Sequence, residues 1–232
     1  MKRVASGIMI LSLWVNADVW HTHTELSYIQ TSGNTDTKSF GVDFHAQKSW
    51  LPHEVALDLE SYYAESEGQE TKNVWLLETH YYYHFSKRLE LEYLIGYKRD
   101  KFSGFDYQFY NGPGLGWQVL QTPKQNLSLN LLILYSVDSY TTGQKDTYPS
   151  GRVGIEYGYK ITPTFSFAEE ANWRSDLSHP SNWFLYSKSS FYSTIDGKLK
   201  LGVSYKIDYK NRPPEDKEKM DRTFMVSLVI DW

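Results

Sequence analysis

Apolar side chains recur at every second position along most of the chain, which is the period of a β-strand whose two faces meet different surroundings. The segment 199–209 alternates leucine, valine, isoleucine and tyrosine with lysine, serine and aspartate. The final ten residues do the same, and five large side chains share one face: Phe224, Val226, Leu228, Ile230 and Trp232. About twelve segments of this kind follow one another, so the sequence predicts an all-β protein of about twelve antiparallel strands.

The connections between these segments alternate in length and polarity. Those after strands two, four, six, eight and ten are short, whereas most of the others are longer and polar, with loops predicted at 65–72, 99–106, 138–149, 175–182 and 211–222. Two architectures fit alternating strands: a soluble sandwich that buries the apolar faces, and a membrane barrel that exposes them to lipid. Short turns at one end and longer loops at the other are typical of the barrel.

Aromatic residues give an independent indication of a membrane. In the predicted topology they form two groups, one near each end of the strands, with leucine, valine and isoleucine between them. Tryptophan and tyrosine prefer the membrane–water interface, and a soluble sandwich has no reason to sort them in this way. The first group is Trp20, Phe85, Tyr157, Tyr159, Phe165 and Trp232, and the second is Tyr28, Tyr63, Trp75, Tyr97, Tyr135, Trp173, Trp183, Tyr209 and Phe224. The sequence therefore predicts a transmembrane antiparallel β-barrel.

Bulk composition narrows the alternatives further. The 232 residues are 16% aromatic, the formal net charge is −4, and the mean hydropathy is −0.54. After the N-terminus no apolar run approaches the roughly 18–20 residues of a membrane helix. The slight negative charge suggests no nucleic-acid partner. Because there is no cysteine, disulfides, thiolate metal sites and thiol nucleophiles are excluded.

The N-terminus has the layout of a secretory signal peptide. Lys2 and Arg3 precede an apolar stretch at 4–15, and Val15 and Ala17 supply the small residues before a cleavage point. We expect residues 1–17 to be removed, which leaves a mature barrel domain of residues 18–232. The alternative is that this stretch is a buried strand or helix of the mature domain.

The inward faces of the predicted strands carry polar side chains. His21, His23 and Glu25 share one face of strand one, and Asp43 and His45 lie on the matching face of strand two. This cluster of His21, His23, Glu25, Asp43 and His45 could form a metal or proton site. We favour the simpler interpretation that charges pair across a polar lumen, and we predict no metal, no cofactor and no catalytic residue.

Two other functions stay open on the sequence. A lipid-modifying enzyme would need a histidine and a serine or carboxylate within reach of lipid, and no histidine is assigned to the outward faces. His179, near Ser178 and Ser181 in a predicted loop, is the best candidate. Acidic loop residues could hold divalent cations beside lipopolysaccharide, although we favour the simpler account of solvated loop charges; they are Glu65, Glu67, Glu70, Glu215, Asp216 and Glu218. A binding or adhesion surface on the loops is the other alternative. We expect a non-enzyme.

Several stretches resemble one family. The opening Thr31-Ser32-Gly33-Asn34-Thr35-Asp36-Thr37, the mid-chain run 112–117 (GPGLGW), Arg212-Pro213-Pro214 and the segment 219–223 (KMDRT) before the last strand resemble the salt-induced outer-membrane proteins, a YdiY-like family with a domain of unknown function. That family usually ends in phenylalanine, whereas this chain ends in Trp232. The resemblance implies an integral outer-membrane location and a barrel fold, but it brings no ligand or catalytic residues.

These observations predict a Gram-negative outer-membrane barrel, reached after secretion across the inner membrane. Its expected function is that of a small channel or an envelope-integrity or salt-stress protein, with a lipid-modifying enzyme or a loop-mediated binding or adhesion protein as alternatives. The expected partners are outer-membrane lipid and lipopolysaccharide, with the barrel-assembly machinery acting during biogenesis. The terminal strand, from Phe224 to Trp232, is predicted to be the assembly signal, and the protein is expected to be a monomer.

Overall fold

A computed structural model describes residues 20–31 and 37–232, and the predicted signal peptide and first turn lie outside these residues. The described residues form twelve strands, numbered in chain order. They are β1 (His21–Thr31), β2 (Thr37–Trp50), β3 (His53–Ser66), β4 (Gln69–His84), β5 (Leu89–Asp100), β6 (Phe105–Gln121), β7 (Gln125–Tyr140), β8 (Lys145–Lys160), β9 (Phe165–Asp176), β10 (Trp183–Asp196), β11 (Leu199–Lys210) and β12 (Met220–Asp231).

The twelve strands close into one barrel. Every strand pairs antiparallel with its neighbour in the chain, and β1 pairs with β12 through the register His23↔Asp231 to Ser27↔Ser227. Beyond this register, the backbone N–H of Thr22 donates to the carbonyl of Trp232 at 2.7 Å, and the N–H of Trp232 donates back at 3.1 Å. The closed sheet has no free edge, which is the arrangement that strands need inside a membrane. The predicted antiparallel barrel of about twelve strands is confirmed.

The apolar side chains point out of the barrel. Leu131 and Ile133 on β7 are 60% and 65% exposed, whereas inward positions carry mainly polar groups. This is the reverse of a soluble barrel, and it is typical of one that faces lipid. Strand β4 has apolar side chains in both phases, since Val74 and Leu76 alternate with Trp75 and Leu77. Trp75 and Leu77 point outward, and Val74 is buried in the interior against Tyr62 and Met225.

Exposed aromatic side chains form a belt around each end of the apolar band. One belt lies where the short turns are, and it includes Trp50, Phe85, Trp117 and Trp232. The other lies at the opposite end, and it includes Tyr28, Tyr63, Trp75, Tyr97 and Tyr135. We call these the turn end and the loop end of the barrel. Among the described residues no helix is long and apolar enough to cross a membrane.

Several predicted loops at the loop end are in fact strand. The charged stretch predicted as a loop at 65–72 is a two-residue turn, Glu67-Gly68, with φ angles of 51° and 76°. The connections at 101–104 and 141–144 are also shorter than predicted, and the longest one described is 211–219. The strands continue beyond the apolar band, where both faces meet water. Their sequences then lose the apolar alternation, which is why they resembled loops.

Candidate functional site: the barrel lumen

The lumen contains a cavity of about 760 Å³. Its lining runs from Gln121 and Asn126 at the turn end to Lys98 and Lys210 at the loop end. This volume lies within the roughly 300–1,000 Å³ of ordinary small-molecule pockets. The interior of this barrel therefore has room for water and small solutes but is not a wide pore.

The lining is acidic. Eleven carboxylates reach the cavity from inward positions: Glu25, Asp43, Glu54, Asp58, Glu60, Glu78, Glu90, Glu92, Glu156, Glu170 and Asp208. Only five lysine or arginine residues of the described chain join them, namely Lys98, Arg152, Arg174, Lys188 and Lys210. With Lys206, which pairs with the lining residue Glu60, the lysine and arginine side chains number six. The eleven carboxylates outnumber them, so the lumen favours positive solutes where the four lining histidines, His23, His45, His80 and His84, are neutral.

The predicted histidine and carboxylate cluster is only partly assembled. His23 lies 3.1 Å from Glu25 and 2.6 Å from Asp231. The Lys188 ammonium group, on β10, bonds Glu25 at 3.1 Å and Asp43 at 2.6 Å. A lysine three strands away from β1 around the barrel thus joins the carboxylates of β1 and β2 in one network.

Of the two remaining members, His45 is the cross-strand partner of His23, as the sequence suggested, but its ring bonds a different carboxylate. His45 pairs with Asp58 at 2.6 Å, and His21 is exposed at the turn end, opposite Gln47 on β2. The structure adds two lumen histidines that the sequence analysis did not select. His80 bonds Glu92 at 2.8 Å, and His84 lies 3.0 Å from Glu90. Both have the inward phase of β4, a signal that the run of tyrosines around them obscured.

An ion pair bridges opposite walls of the barrel between β8 and β4. The two terminal nitrogens of Arg152 donate to the carboxylate oxygens of Glu78 at 2.6 and 3.2 Å, which is the bidentate geometry of a strong pair. The hydroxyl of Tyr110 donates to the same carboxylate. The Arg174 guanidinium group stacks beside this pair, 4.8 Å from the ring of Tyr110 and 4.7 Å from that of Phe184. We call Arg152, Glu78, Tyr110 and Arg174 the bridging layer.

A glycine makes room for this layer. The Tyr110 ring occupies the space beside Gly96 on the neighbouring strand, where a Cβ atom would stand 2.1 Å from a ring carbon. Gly116 on β6 similarly accommodates Glu90, an oxygen of which lies 2.4 Å from the position that a Cβ would take. Inward glycines therefore let bulky and charged groups lie flat against the wall.

A second set of bridges crosses the lumen from β11. Lys206 pairs with Glu60 on β3, and the Lys98 ammonium group lies 2.8 Å from Asp208. The hydroxyl of Tyr186 donates to Glu60 at 3.0 Å. Together with the bridging layer, these pairs narrow the half of the lumen near the loop end. The other half keeps carboxylates such as Glu90, Glu92 and Glu156 without a lysine or arginine beside them in the described lining.

Ser178 and His179, the candidate residues for a lipid-modifying enzyme, stabilise a turn at the end of β9. The backbone N–H groups of Ser178 and His179 donate to Asp176 at 2.7 and 3.0 Å, and the exposed ring of His179 lies 3.4 Å from the same carboxylate. These contacts form a local turn after β9. The expectation that no histidine faces outward is wrong for His53, whose ring bonds the hydroxyl of Tyr81 at 2.8 Å. No group of three or more histidine or acidic side chains within the described ranges is arranged to hold a metal ion.

Comparison with known proteins identifies the family. The profile of a family described as "Protein of unknown function, DUF481" matches residues 24–232, which is nearly the whole described chain. The chain belongs to the DUF481 family. A curated relative of this DUF481 protein is the uncharacterized protein YdiY of Escherichia coli (strain K12), 23% identical over 208 residues that cover 87% of this chain and 79% of the relative. The resemblance to a YdiY-like family, stated from the sequence, is confirmed.

Two solved structures share the fold of this DUF481 protein. The NanC porin superposes with a TM-score of 0.53 at 10% identity, covering 91% of this chain and 97% of the porin. An outer-membrane channel from Pseudomonas putida F1 superposes with a TM-score of 0.54 at 9% identity, covering 92% and 94% of the two chains. At such low identity the similarity establishes a common barrel architecture and leaves the activity to be argued from the lumen.

Proposed function

We propose that this protein lies in the outer membrane of a Gram-negative bacterium and forms a narrow channel that prefers cations. The observation that carries the proposal is the acidic cavity inside a closed, lipid-facing barrel. The two solved structures of similar fold are a porin and an outer-membrane channel, which supports both the location and the channel. The turn end then faces the periplasm and the loop end the outside, as in other barrels of this membrane.

Cation preference rests on the distribution of charge along the lumen. Glu156 and Glu170 face each other directly on β8 and β9, and carboxylates in this position repel unless a proton or another cation lies between them. One oxygen of Glu92 is buried and has no hydrogen-bond partner in the described residues. These groups line the periplasmic half of the cavity, so they attract and partly dehydrate a positive solute there.

The bridging layer sets the size limit. Arg152 and Glu78 are each about 7% exposed, so little room is left around their pair. A solute that crosses this layer must pass beside the Arg152–Glu78 pair or separate its two side chains. We therefore expect small conductance steps rather than those of a general porin.

Single-channel recording tests the channel itself. The mature protein, refolded and inserted into planar bilayers, is expected to give discrete steps well below those of a sixteen-stranded porin measured in the same salt, because its lumen is narrower and bridged. A matched preparation of the same protein left unfolded in urea should give none. Complete absence of conductance from protein that is folded and inserted would reject the channel.

A further inference from the structure

One carboxylate, that of Glu169, lies on the outer, lipid-facing side of the barrel. Glu169 has the outward phase of β9, between Phe167 and Ala171, and it pairs with Tyr157 on β8 and Ser189 on β10. The one other outward position between the two aromatic belts of the described strands with an acidic, lysine or arginine side chain is Lys48 on β2, which lies at the turn-end belt, 5.8 Å from the ring of Trp20. Outward side chains elsewhere in the band are mostly apolar.

Two serines hold this carboxylate. The hydroxyl of Ser187 donates to one oxygen of Glu169 at 2.7 Å, and the hydroxyl of Ser189 donates to the other. Both serines are outward on β10, and Ala171 is the partner of Ser187 in the register. Glu169, Ala171, Ser187 and Ser189 therefore form one small, polar area on the lipid-facing surface, which we call the β9–β10 patch.

The patch lies in the middle of the apolar band. Along β10 its serines stand between Leu185 and Phe191, both exposed, while Trp183 begins the strand at the loop end and Ile195 lies near its turn end. Headgroups do not reach this depth, because the hydrocarbon core is about 30 Å thick. Charged side chains that meet acyl chains near the midplane are unfavourable. The patch is better suited to a protein surface than to lipid.

We infer that the β9–β10 patch is the contact surface for a second copy of this chain. A two-fold axis through the patch would bring each carboxyl group beside the serine hydroxyls of the other copy, so that hydroxyls which donate to Glu169 within one chain would donate to Glu169 of the second copy instead. Alanine and serine are small, and such residues let two backbones approach closely within a membrane. The described outward face offers no lysine or arginine at this depth that would serve a different pairing.

The side of the barrel that carries β6 and β7 provides the contrast. There the outward positions hold Leu115, Leu131 and Ile133, which are 59–65% exposed and bulky. Such a surface is well suited to acyl chains. A dimer through the β9–β10 patch replaces the monomer that the sequence predicted, and it leaves the lumen of each barrel unobstructed.

Cysteine cross-linking in native membranes tests this contact, since the chain has no cysteine of its own. Ala171→Cys, Ser187→Cys and Ser189→Cys are made singly, and Leu131→Cys, at a lipid-facing position that is more exposed than any of the three, serves as the control. After mild oxidation we expect a disulfide-linked band of twice the protein mass from at least one patch variant and none from the control. Mass spectrometry of the band should find this chain alone.

Addition of Glu169→Leu to the best cross-linking variant should abolish most of the dimer band, while Glu169→Gln, which keeps hydrogen bonding, should retain it. The inference would be overturned by three results: no cross-link from any patch variant in protein that is assembled, an equal cross-link from Leu131→Cys, or a cross-linked partner other than this chain.

Discussion

Replacement of Arg152 by alanine is expected to increase the single-channel conductance several-fold. The side chain reaches across the lumen from β8 and forms a bidentate pair with Glu78 on β4, and its removal takes away this bridge. It also leaves the Glu78 carboxylate free, which strengthens the negative potential there. The measurement is the step size in planar bilayers at fixed salt, compared with the unmodified protein.

Stability must be separated from conductance in this test. Loss of one partner from a dry buried ion pair costs about 3–5 kcal/mol, and water in the lumen lowers that cost. The double variant Glu78→Gln with Arg152→Ala avoids the unpaired charge and should also conduct more than the unmodified protein. Arg88→Ala, in the exposed turn after β4, is the matched control and should change nothing. Unchanged steps in both lumen variants, with the fold intact, would contradict the position of the constriction.

Leu228→Arg is expected to destabilise the barrel in a bilayer by about 2–4 kcal/mol, because arginine near the midplane of the lipid face costs that much. Leu228 is 42% exposed on β12 and pairs with Leu26 and Leu201, well between the two aromatic belts. Phe224→Arg, nearer the loop-end belt on the same strand and face, should cost only about 0–1 kcal/mol. Reversible unfolding by denaturant from lipid vesicles measures both values.

The informative quantity is the difference between the losses of stability at Leu228 and at Phe224, which lie at different depths. A soluble β-protein that buried this face would lose stability at both positions, and a face in water would lose little at either. Equal costs at Leu228 and Phe224 would therefore argue against a membrane-spanning strand. The role of this strand as the assembly signal, from Phe224 to Trp232, stays a prediction.

The fold could be predicted from the sequence because a membrane requires a simple pattern of apolar and aromatic positions. Each strand must present apolar groups to lipid at every second position, and each aromatic belt must sit at an interface, so alternation and aromatic position together predict the barrel. The pattern failed at 65–72, where the strands leave the membrane and water covers both faces. In that stretch, Glu67-Gly68 marks the turn, and no alternation marks the strands on either side.

The contacts inside the lumen were harder to predict, because they join strands that are distant in the sequence. Glu78 and Arg152 are 74 positions apart, and nothing local in either segment identifies the other as its partner. His23, Glu25 and Asp43 were found because β1 and β2 are adjacent, whereas Lys188, which holds the two carboxylates together, could not be assigned without the closed barrel. Glu169 was hidden by its neighbour Glu170, which has the inward phase.

The zero-current potential of the unmodified protein in planar bilayers, under a gradient of potassium chloride, tests the cation-preferring channel most directly. The account predicts a potential whose sign shows potassium passing more readily than chloride, and a smaller potential after Glu156→Gln combined with Glu170→Gln, which removes two facing charges from the cavity. Preference for chloride in the unmodified protein, or a potential that the two substitutions leave unchanged, would contradict it.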